Sequence, residues 1–315
     1  MKKIYTLLFL IIISIAAFAQ NGKIIEKIKI ATSADSVLKR TNPYYDTLKR
    51  ILDNVDVYRI TYISDGLKVK GYMDIPKKPG KYPCIIYNRG GNREFGKLKK
   101  WNYMGDMAEK ASWGYCIVAT QYRGNDGGEG KDEFAGKDLD DVMNMIPLLN
   151  DVDKADTTRI GMWGISRGGL MTYLALTKTN LIKAAVVVSG LVDLKQGVET
   201  QKATDTMFYN WLPEYRTDKE GFLKKRSAIA VADNICKITP IFIIQGTGDA
   251  AVTTPQVFDM TKKLYELKHP FRFALFEGGG HGVSEFEDEV TRQTKNFFDA
   301  YLRNKKRWPS LELHR

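Results

Sequence analysis

Cysteine and histidine are scarce in this sequence of 315 residues, which contains three of each. Cys84 and Cys116 lie in apolar runs, where cysteine behaves as a small apolar side chain, and the cysteine spacing demands no disulfide. The isolated histidines do not match the ligand spacing of a zinc site. The sequence also lacks a phosphate-binding loop and a dinucleotide-binding glycine fingerprint. We therefore expect neither a metal nor an organic cofactor.

Long apolar runs are absent after the first twenty residues. At the start, two lysines precede an apolar stretch that ends in Ala17-Phe18-Ala19, which is the three-part pattern of a secretory signal peptide. The stretch is shorter than the roughly 20 residues of a spanning helix, although a retained membrane anchor is the alternative. Gln20 follows instead of the cysteine that a lipid anchor requires. We expect cleavage after Ala19 and a periplasmic or secreted protein without a membrane span.

The charge is unbalanced, with 48 lysine and arginine residues against 37 acidic ones and a net charge of +11. A strongly basic protein can bind nucleic acid through its summed field. Here the basic residues are scattered and no aromatic-basic module surrounds them. We therefore expect no nucleic-acid partner, and the sequence indicates no particular oligomeric state.

The order of apolar segments predicts one large α/β domain. Apolar runs at 57–63 and 67–75 flank Asp65-Gly66, a dipeptide that favours a tight hairpin turn. Beyond residue 83, short apolar runs alternate with helical segments, which indicates a mostly parallel sheet covered by helices on both faces. The predicted organisation is a signal peptide at 1–19, an N-terminal arm at 20–56, the α/β domain at 57–304, and a C-terminal tail at 305–315.

The segment Gly164-Ile165-Ser166-Arg167-Gly168-Gly169 carries the clearest chemical signal. It joins a predicted strand to a predicted helix, and its G-x-S-x-G pattern is that of a nucleophile elbow. Glycines on both sides of the serine remove side chains that would obstruct so sharp a turn. The following helix directs free N–H groups at the same point. We predict that Ser166 is a nucleophile.

A serine hydroxyl needs a base to accept its proton, and histidine is the usual one. His281 lies in a glycine-rich loop directly after a predicted strand, whereas His269 ends a helix and His314 lies near the chain end. A carboxylate should in turn orient the histidine. Asp249 follows the strand between the two, so the chain order is Ser166, Asp249, His281.

An oxyanion hole requires two donors directed at the developing negative charge. One should be the backbone amide of Arg167, next after the serine. The other should come from the loop after the early strand at 84–88, where we favour the amide of Gly90 or Gly91.

Residues 193–236 interrupt the alternation and are too long for a simple crossover. We interpret them as a cap inserted over the carboxyl ends of the strands, where sheets of this kind bind ligands. Tyr209, Trp211 and Tyr215 within this cap are predicted to form an apolar wall for the substrate. The alternative is a plain pair of packing helices.

Four blocks in this order resemble the catalytic domain of the prolyl oligopeptidase family of serine peptidases: Tyr122-Arg123-Gly124, the elbow at 164–169, Gln245–Asp249, and Glu277–Gly282. The resemblance covers about residues 57–304. It implies an α/β-hydrolase fold with a Ser-Asp-His triad. Arg123 in the first block is expected to be a buried hydrogen-bond donor below the site or, alternatively, a contact for a charged substrate.

The sequence departs from this family in two places. Arg89 stands where the family often has histidine or tyrosine before the two glycines, so a side-chain oxyanion donor is not expected. The segment between residues 20 and 57 is too short for the β-propeller of typical members. The expected function is hydrolysis of peptide or amide bonds through an acyl-serine. The alternatives are an exported carboxylesterase with the same triad and a non-catalytic binding protein on a hydrolase scaffold.

Overall fold

The computed structural model of the protein describes residues 20–307 and 311, so the predicted signal peptide lies outside the described residues. Within them, nine strands form one sheet. The strands are β1 (Ile24–Lys29), β2 (Val55–Ser64), β3 (Leu67–Pro76), β4 (Tyr82–Asn88), β5 (Cys116–Thr120), β6 (Ala155–Ile165), β7 (Ile182–Val188), β8 (Ile241–Gly246) and β9 (Phe271–Phe276).

The sheet is antiparallel at one end and parallel elsewhere, with strand order β1-β2-β3-β5-β4-β6-β7-β8-β9. The predicted hairpin is present, because β2 and β3 pair antiparallel through the turn between Ser64 and Leu67. From β5 to β9 every neighbouring pair is parallel. The carboxyl ends of β4, β6, β8 and β9 therefore lie at one edge, and the loops that carry the predicted site residues follow these four strands.

The helices of the described residues are α1 (Tyr45–Asn54), α2 (Met107–Ser112), α3 (Asp138–Met143), α4 (Met145–Leu148), α5 (Arg167–Leu176), α6 (Leu194–Thr200), α7 (Lys202–Trp211), α8 (Pro213–Thr217), α9 (Lys219–Arg226), α10 (Thr254–Glu266) and α11 (Glu287–Phe298). A π-helical turn, Asn102–Asp106, precedes α2 directly. No helix of these residues is long and apolar enough to cross a bilayer.

Both faces of the sheet are buried, because side chains alternate between two cores. On β8, Ile241 and Ile243 face one core, and Phe242 and Ile244 face the other. Helices α5 and α10 and the cap helices cover the first face, while α1, α2 and α11 cover the second. This arrangement explains why the central strands read as continuous apolar runs.

The predicted N-terminal arm contains more regular structure than its sequence indicated. Strand β1 pairs antiparallel with β2 and forms the edge of the sheet. Its side chains are largely exposed, so backbone hydrogen bonds rather than apolar burial hold it, and its sequence carries no core pattern. The predicted cap segment at 193–236 forms four consecutive helices, α6 to α9.

Helix α5 approaches the end of β4 so closely that glycine is required at their contact. A Cβ atom added to Gly168 would lie 1.8 Å from the carbonyl oxygen of Asn88. One added to Gly164 would lie 2.2 Å from the carbonyl oxygen of Gly168. Both contacts are with backbone, which has little room to move, so the turn between β6 and α5 tolerates only glycine at these positions.

Gly168→Ala should therefore lower the free energy of unfolding by about 3 kcal/mol or more, since overpacking against backbone forces the helix away from the sheet. Urea unfolding of the purified protein measures the change. The matched control is Gly197→Ala in α6, where an added Cβ would meet no atom within 4 Å. That variant should gain about 0.5–1 kcal/mol from helix propensity. Equal stability of the two variants would contradict the packing described for Gly168.

Candidate active site

Ser166 lies at the sharp turn between β6 and α5, with φ 58° and ψ −124°. This positive φ is strained for a residue with a side chain. Four backbone hydrogen bonds fix the turn, one of them a long 3.4 Å bond from the Leu170 amide to the Ser166 carbonyl. The Ser166 amide donates to Val188 O at 3.0 Å, and the Ser166 carbonyl accepts from the amides of Gly169 at 2.9 Å and Leu191 at 3.1 Å. The hydroxyl-bearing side chain is thus held outside the packed backbone, as the elbow pattern predicts.

The predicted oxyanion donors surround this serine. Arg167 is the first residue of α5, so its amide has no acceptor within the helix. A Cβ atom added to Gly90 would lie 3.2 Å from Ser166 Cβ and 3.8 Å from its Oγ. Gly90 and Gly91 line the same cleft as Ser166. All three residues that the sequence predicted as oxyanion donors therefore lie close to Ser166 in the structure.

Asp249 and His281 are hydrogen-bonded to each other. The imidazole Nδ1 lies 2.9 Å from Asp249 Oδ2 and 3.1 Å from Oδ1. The carboxylate is fully buried, whereas the imidazole is about one-third exposed. Because the carboxylate can only accept, Nδ1 is the donor of this bond, and the neutral tautomer that fits it presents Nε2 as a proton acceptor.

The surroundings keep the Asp249 carboxylate charged. Burial raises its pKa, but the hydrogen bond from His281 and those from the amides of Val252 and Ala251, both at 2.8 Å, outweigh burial, and the pKa lies below its usual value. The loops of the pair are joined by a hydrogen bond from the Gly248 amide to Gly279 O at 2.9 Å. The pair is therefore preformed.

Ser166 and His281 line the same cleft, although no hydrogen bond joins them among the described residues. Such contacts commonly shorten only when substrate binds. The cleft has a volume of about 710 Å³. Its wall is mainly apolar and includes Phe134, Ile165, Leu191, Leu194, Met207 and Val252. It therefore offers an apolar surface next to a hydroxyl group and an imidazole.

Arg89, which precedes the two glycines, is buried and binds the loop after β4 that contains Gly90 and Gly91. We name it the oxyanion loop after its predicted role. Its Nη2 and Nε donate to Gln121 O at 2.8 and 3.2 Å, its Nη1 to Gly90 O at 3.0 Å, and its Nη2 also to Arg93 O at 2.9 Å. These backbone acceptors occupy the guanidinium. Arg89 thus stabilises the loop, and its side chain is not directed at a substrate oxygen.

The side chain of Arg167 forms a second buried brace. Nη1 and Nη2 bind the two oxygens of Asp132 at 2.9 and 2.7 Å, and Nη2 also binds Asp138. Nη1 donates to Gly91 O at 3.2 Å. The ring of Tyr122 contacts both guanidinium groups, with each of the Arg89 and Arg167 carbons 4.8 Å from its centroid. One network therefore connects the elbow to the oxyanion loop.

The structure places all three members of the predicted aromatic wall outside the lining of the cleft that contains Ser166. Tyr209 is 58% exposed, and Tyr215 is buried against Phe208 and Phe222 with its hydroxyl bonded to Asp205. Trp211 lines a second cavity of about 680 Å³, where it stacks on Arg93 at 4.0 Å.

Helical phase explains the difference. In α7, Ala203, Thr204 and Met207 share the face that borders the cleft. Trp211 continues this face one turn further, beyond the cleft, and Tyr209 lies on the other side. The cap therefore contributes a methionine, rather than aromatic rings, beside the cleft.

Arg123 does not line the cleft. Its Nε and Nη2 bind Asp141 at 2.8 to 3.1 Å, and Nη2 also binds Asp65 at 2.8 Å. The guanidinium is 4% exposed. The first of its two predicted roles, a buried hydrogen-bond donor, agrees with this placement.

The residues that sequence reasoning missed are those that act through other groups. Asp132, Asp138 and Tyr122 hold Arg167, and Asp106 lies in the cleft wall. The sequence signal for one of them was the block Tyr122-Arg123-Gly124, in which we assigned a role to Arg123 and none to Tyr122. No metal site is formed by the histidine, cysteine and acidic residues that the structure describes.

The sheet topology and the loops at its carboxyl edge define an α/β-hydrolase fold. Solved structures agree. Pyrococcus horikoshii acylaminoacyl peptidase aligns with a TM-score of 0.69 at 24% identity, over 83% of this chain and 44% of its own. Acetyl xylan esterase from Paenibacillus sp. R4 aligns with a TM-score of 0.64 at 18% identity, over 89% of this chain and 92% of its own.

Within that fold, the chain belongs to the prolyl oligopeptidase family, whose model matches residues 101–305. The uncharacterized peptidase YtmA of Bacillus subtilis is 31% identical over 219 residues, which cover 69% of this chain and 82% of that protein. Other curated relatives are longer, and the chain spans about a third of their length. The family resemblance and the fold expected from the sequence are confirmed.

The Arg167 brace generates a prediction about stability and pH. Although burial raises the pKa of Asp132, the charge and hydrogen bonds of Arg167 outweigh burial and hold the pKa below its usual value. A carboxyl whose pKa is lowered on folding stabilises the protein above its unfolded pKa and loses this effect as pH falls. Asp132→Asn should cost about 3 kcal/mol at pH 7, because Arg167 loses a buried partner.

The difference in unfolding free energy between wild type and Asp132→Asn should narrow as the pH falls below about 4. Urea titrations at several pH values measure it. Asp153→Asn, at an exposed position, is the control and should change stability by less than about 0.5 kcal/mol. If this difference in unfolding free energy stayed constant with pH, the charge of Asp132 would not contribute to the stability of its pair with Arg167.

Proposed function

We propose that this protein is an exported serine hydrolase that cleaves peptide or amide bonds through an acyl-serine intermediate on Ser166. The observation that carries the proposal is the coincidence of a serine at positive φ, an Asp–His hydrogen bond and backbone donors in one cleft. Membership of a peptidase family supports the choice of peptide or amide bonds. The proposed triad is Ser166, Asp249 and His281.

The proposed reaction begins when Ser166 Oγ attacks the carbonyl carbon and its proton passes to His281 Nε2. Asp249 stabilises the imidazolium that forms. The negative charge on the tetrahedral oxygen is bound by the amide of Arg167 and by Gly90 or Gly91. His281 then gives its proton to the leaving group, which departs and leaves the acyl-serine. Water attacks this ester by the same route and regenerates the free hydroxyl.

A carboxylesterase is the second candidate, because an ester passes through the same tetrahedral intermediate. The acetyl xylan esterase of similar length shares the fold. The two substrate classes are separated by measuring kcat/KM for matched acyl p-nitroanilides and p-nitrophenyl esters. A peptidase cleaves the anilide well above background. An esterase cleaves only the intrinsically more reactive ester.

Ser166→Ala should abolish labelling by a fluorophosphonate probe and lower kcat by several orders of magnitude, since triad residues act as a unit. In-gel fluorescence and initial rates measure the two effects. Ser112→Ala, a surface serine bonded to Glu109 O, is the control and should label as wild type does. Labelling that survives in Ser166→Ala would move the nucleophile elsewhere, and absence of labelling in wild type would favour the non-catalytic binding protein.

The corrected cleft wall changes which residue should govern acyl specificity. Met207→Ala should lower kcat/KM for bulky acyl groups about 10-fold more than for acetyl, because it removes apolar surface from the cleft. Trp211→Ala should leave this ratio within about 2-fold, since Trp211 borders the other cavity. Steady-state kinetics on acetyl and hexanoyl substrates measure the ratio. A larger effect of Trp211→Ala than of Met207→Ala would contradict the assignment of the wall.

Export is supported by the lysine, apolar and small-residue pattern that ends at Ala19. Mature protein isolated from its native host should begin at or near Gln20, as N-terminal mass spectrometry measures. An intact N-terminus on membrane-associated protein would instead favour an anchored form.

A further inference from the structure

The π-helical turn Asn102–Asp106 places an acidic side chain in the wall of the cleft that contains Ser166. The turn precedes α2 and is closed by a hydrogen bond from the Met107 amide to Asn102 O, five residues earlier. Isolated π turns within helices are rare and occur frequently at functional sites. Asn102 and Asp106 both line the cleft that contains Ser166. The irregular turn thus brings this carboxylate to the cleft wall.

Asp106 is distinctive among the residues of this wall. Of the described residues that line the cleft, it alone carries a carboxylate. In the described part of the chain, its side chain receives one hydrogen bond, from Asn102 Nδ2 at a long 3.4 Å, and forms no ion pair. A partly buried carboxylate usually accepts several strong hydrogen bonds. The described residues therefore supply few hydrogen bonds to the Asp106 carboxylate.

The charged groups around Asp106 do not balance the negative charge of its carboxylate. Lys110 attracts it, but the ammonium of Lys110 bonds Glu109 at 2.9 Å and lies over the Trp163 ring at 4.5 Å. Glu109 and Glu287 repel it, and burial is the largest of the effects that raise its pKa. Glu109 and Glu287 also border a smaller cavity of about 330 Å³, and Asp106 lines both that cavity and the cleft. Acidic side chains thus lie around Asp106 in a protein of net charge +11.

The two side chains of the cleft that can carry a positive charge already bind carboxylates of the protein. Arg167 binds Asp132 and Asp138, and His281 binds Asp249. Neither of them therefore pairs with Asp106, and a cationic ligand group in the cleft would meet its carboxylate. Because the remaining wall is largely apolar, such a ligand would combine a positively charged group with an apolar body.

We propose that Asp106 binds a primary ammonium group of the substrate and so selects acyl compounds with a free amine. The inference deepens the proposed function and rests on it, because it assigns the amine site to the cleft of Ser166. In this assignment Asp106 is a specificity residue that contacts substrate and takes no part in bond cleavage.

The test compares two small molecules of the same shape as competitors of fluorophosphonate labelling at pH 8: n-hexylammonium and 1-hexanol. In wild type, n-hexylammonium should halve the labelling rate at a concentration about 10-fold lower than 1-hexanol, since a hydrogen bond to a charged group is worth a factor of this size. In Asp106→Asn the preference should fall below about 2-fold. Asp106→Glu, which keeps the charge, should retain part of it.

Glu109→Gln is the matched control, because it removes the same charge three positions away, beside the smaller cavity. It should keep the wild-type preference. The inference is overturned if wild type shows no preference, if Asp106→Asn keeps it, or if Glu109→Gln loses it equally. Melting temperatures verify that each variant is folded. Wild type that fails to label at all refutes the proposed function and this inference with it, whereas labelling without ammonium preference refutes the inference alone.

Discussion

The strained backbone of Ser166 is the constraint on which the site depends. A residue at this φ and ψ costs about 1–3 kcal/mol, so its surroundings must enforce the conformation. They do so by close backbone packing: α5 contacts the end of β4 at Gly168, and Gly164 contacts Gly168 in turn. The same packing places the amide of Arg167 and the loop of Gly90 on either side of the serine. The proposed nucleophile and the proposed oxyanion donors therefore derive from one contact between a helix and a sheet.

Buried charge holds the loops that this contact brings together. Arg89 binds backbone carbonyls of the oxyanion loop, and Arg167 binds Asp132, Asp138 and that same loop. Removing charges from water is costly, and a buried ion pair often contributes little net stability. Its contribution here is positional, because Arg167 connects the first turn of α5 to the loop that contains Gly90 and Gly91. The Tyr122 ring between the two guanidinium groups completes the connection.

The sequence predicted those features whose cause is local. Central strands are apolar along their whole length, the elbow needs its glycines at fixed spacing, and the loops of Asp249 and His281 follow strands directly. The sequence did not predict the edge strand β1, because its side chains face solvent and form no apolar pattern. Backbone pairing with β2 holds this strand in the sheet.

The sequence did not predict the features that depend on tertiary packing. The aromatic residues of the cap could be located in the sequence, but which of them faces the cleft depends on the phase and length of α7. A carboxylate such as Asp106 has no sequence signature, because a π turn places it.

The central claim is that Ser166 carries the acyl group during turnover. Mass spectrometry after brief reaction with p-nitrophenyl trimethylacetate, whose acyl-enzyme hydrolyses slowly, tests it directly. The account predicts one trimethylacetyl group per protein, mapped by peptide sequencing to Ser166 within the segment 164–169. An acyl group on another residue, or turnover of the ester without any acylated protein at early times, would contradict it.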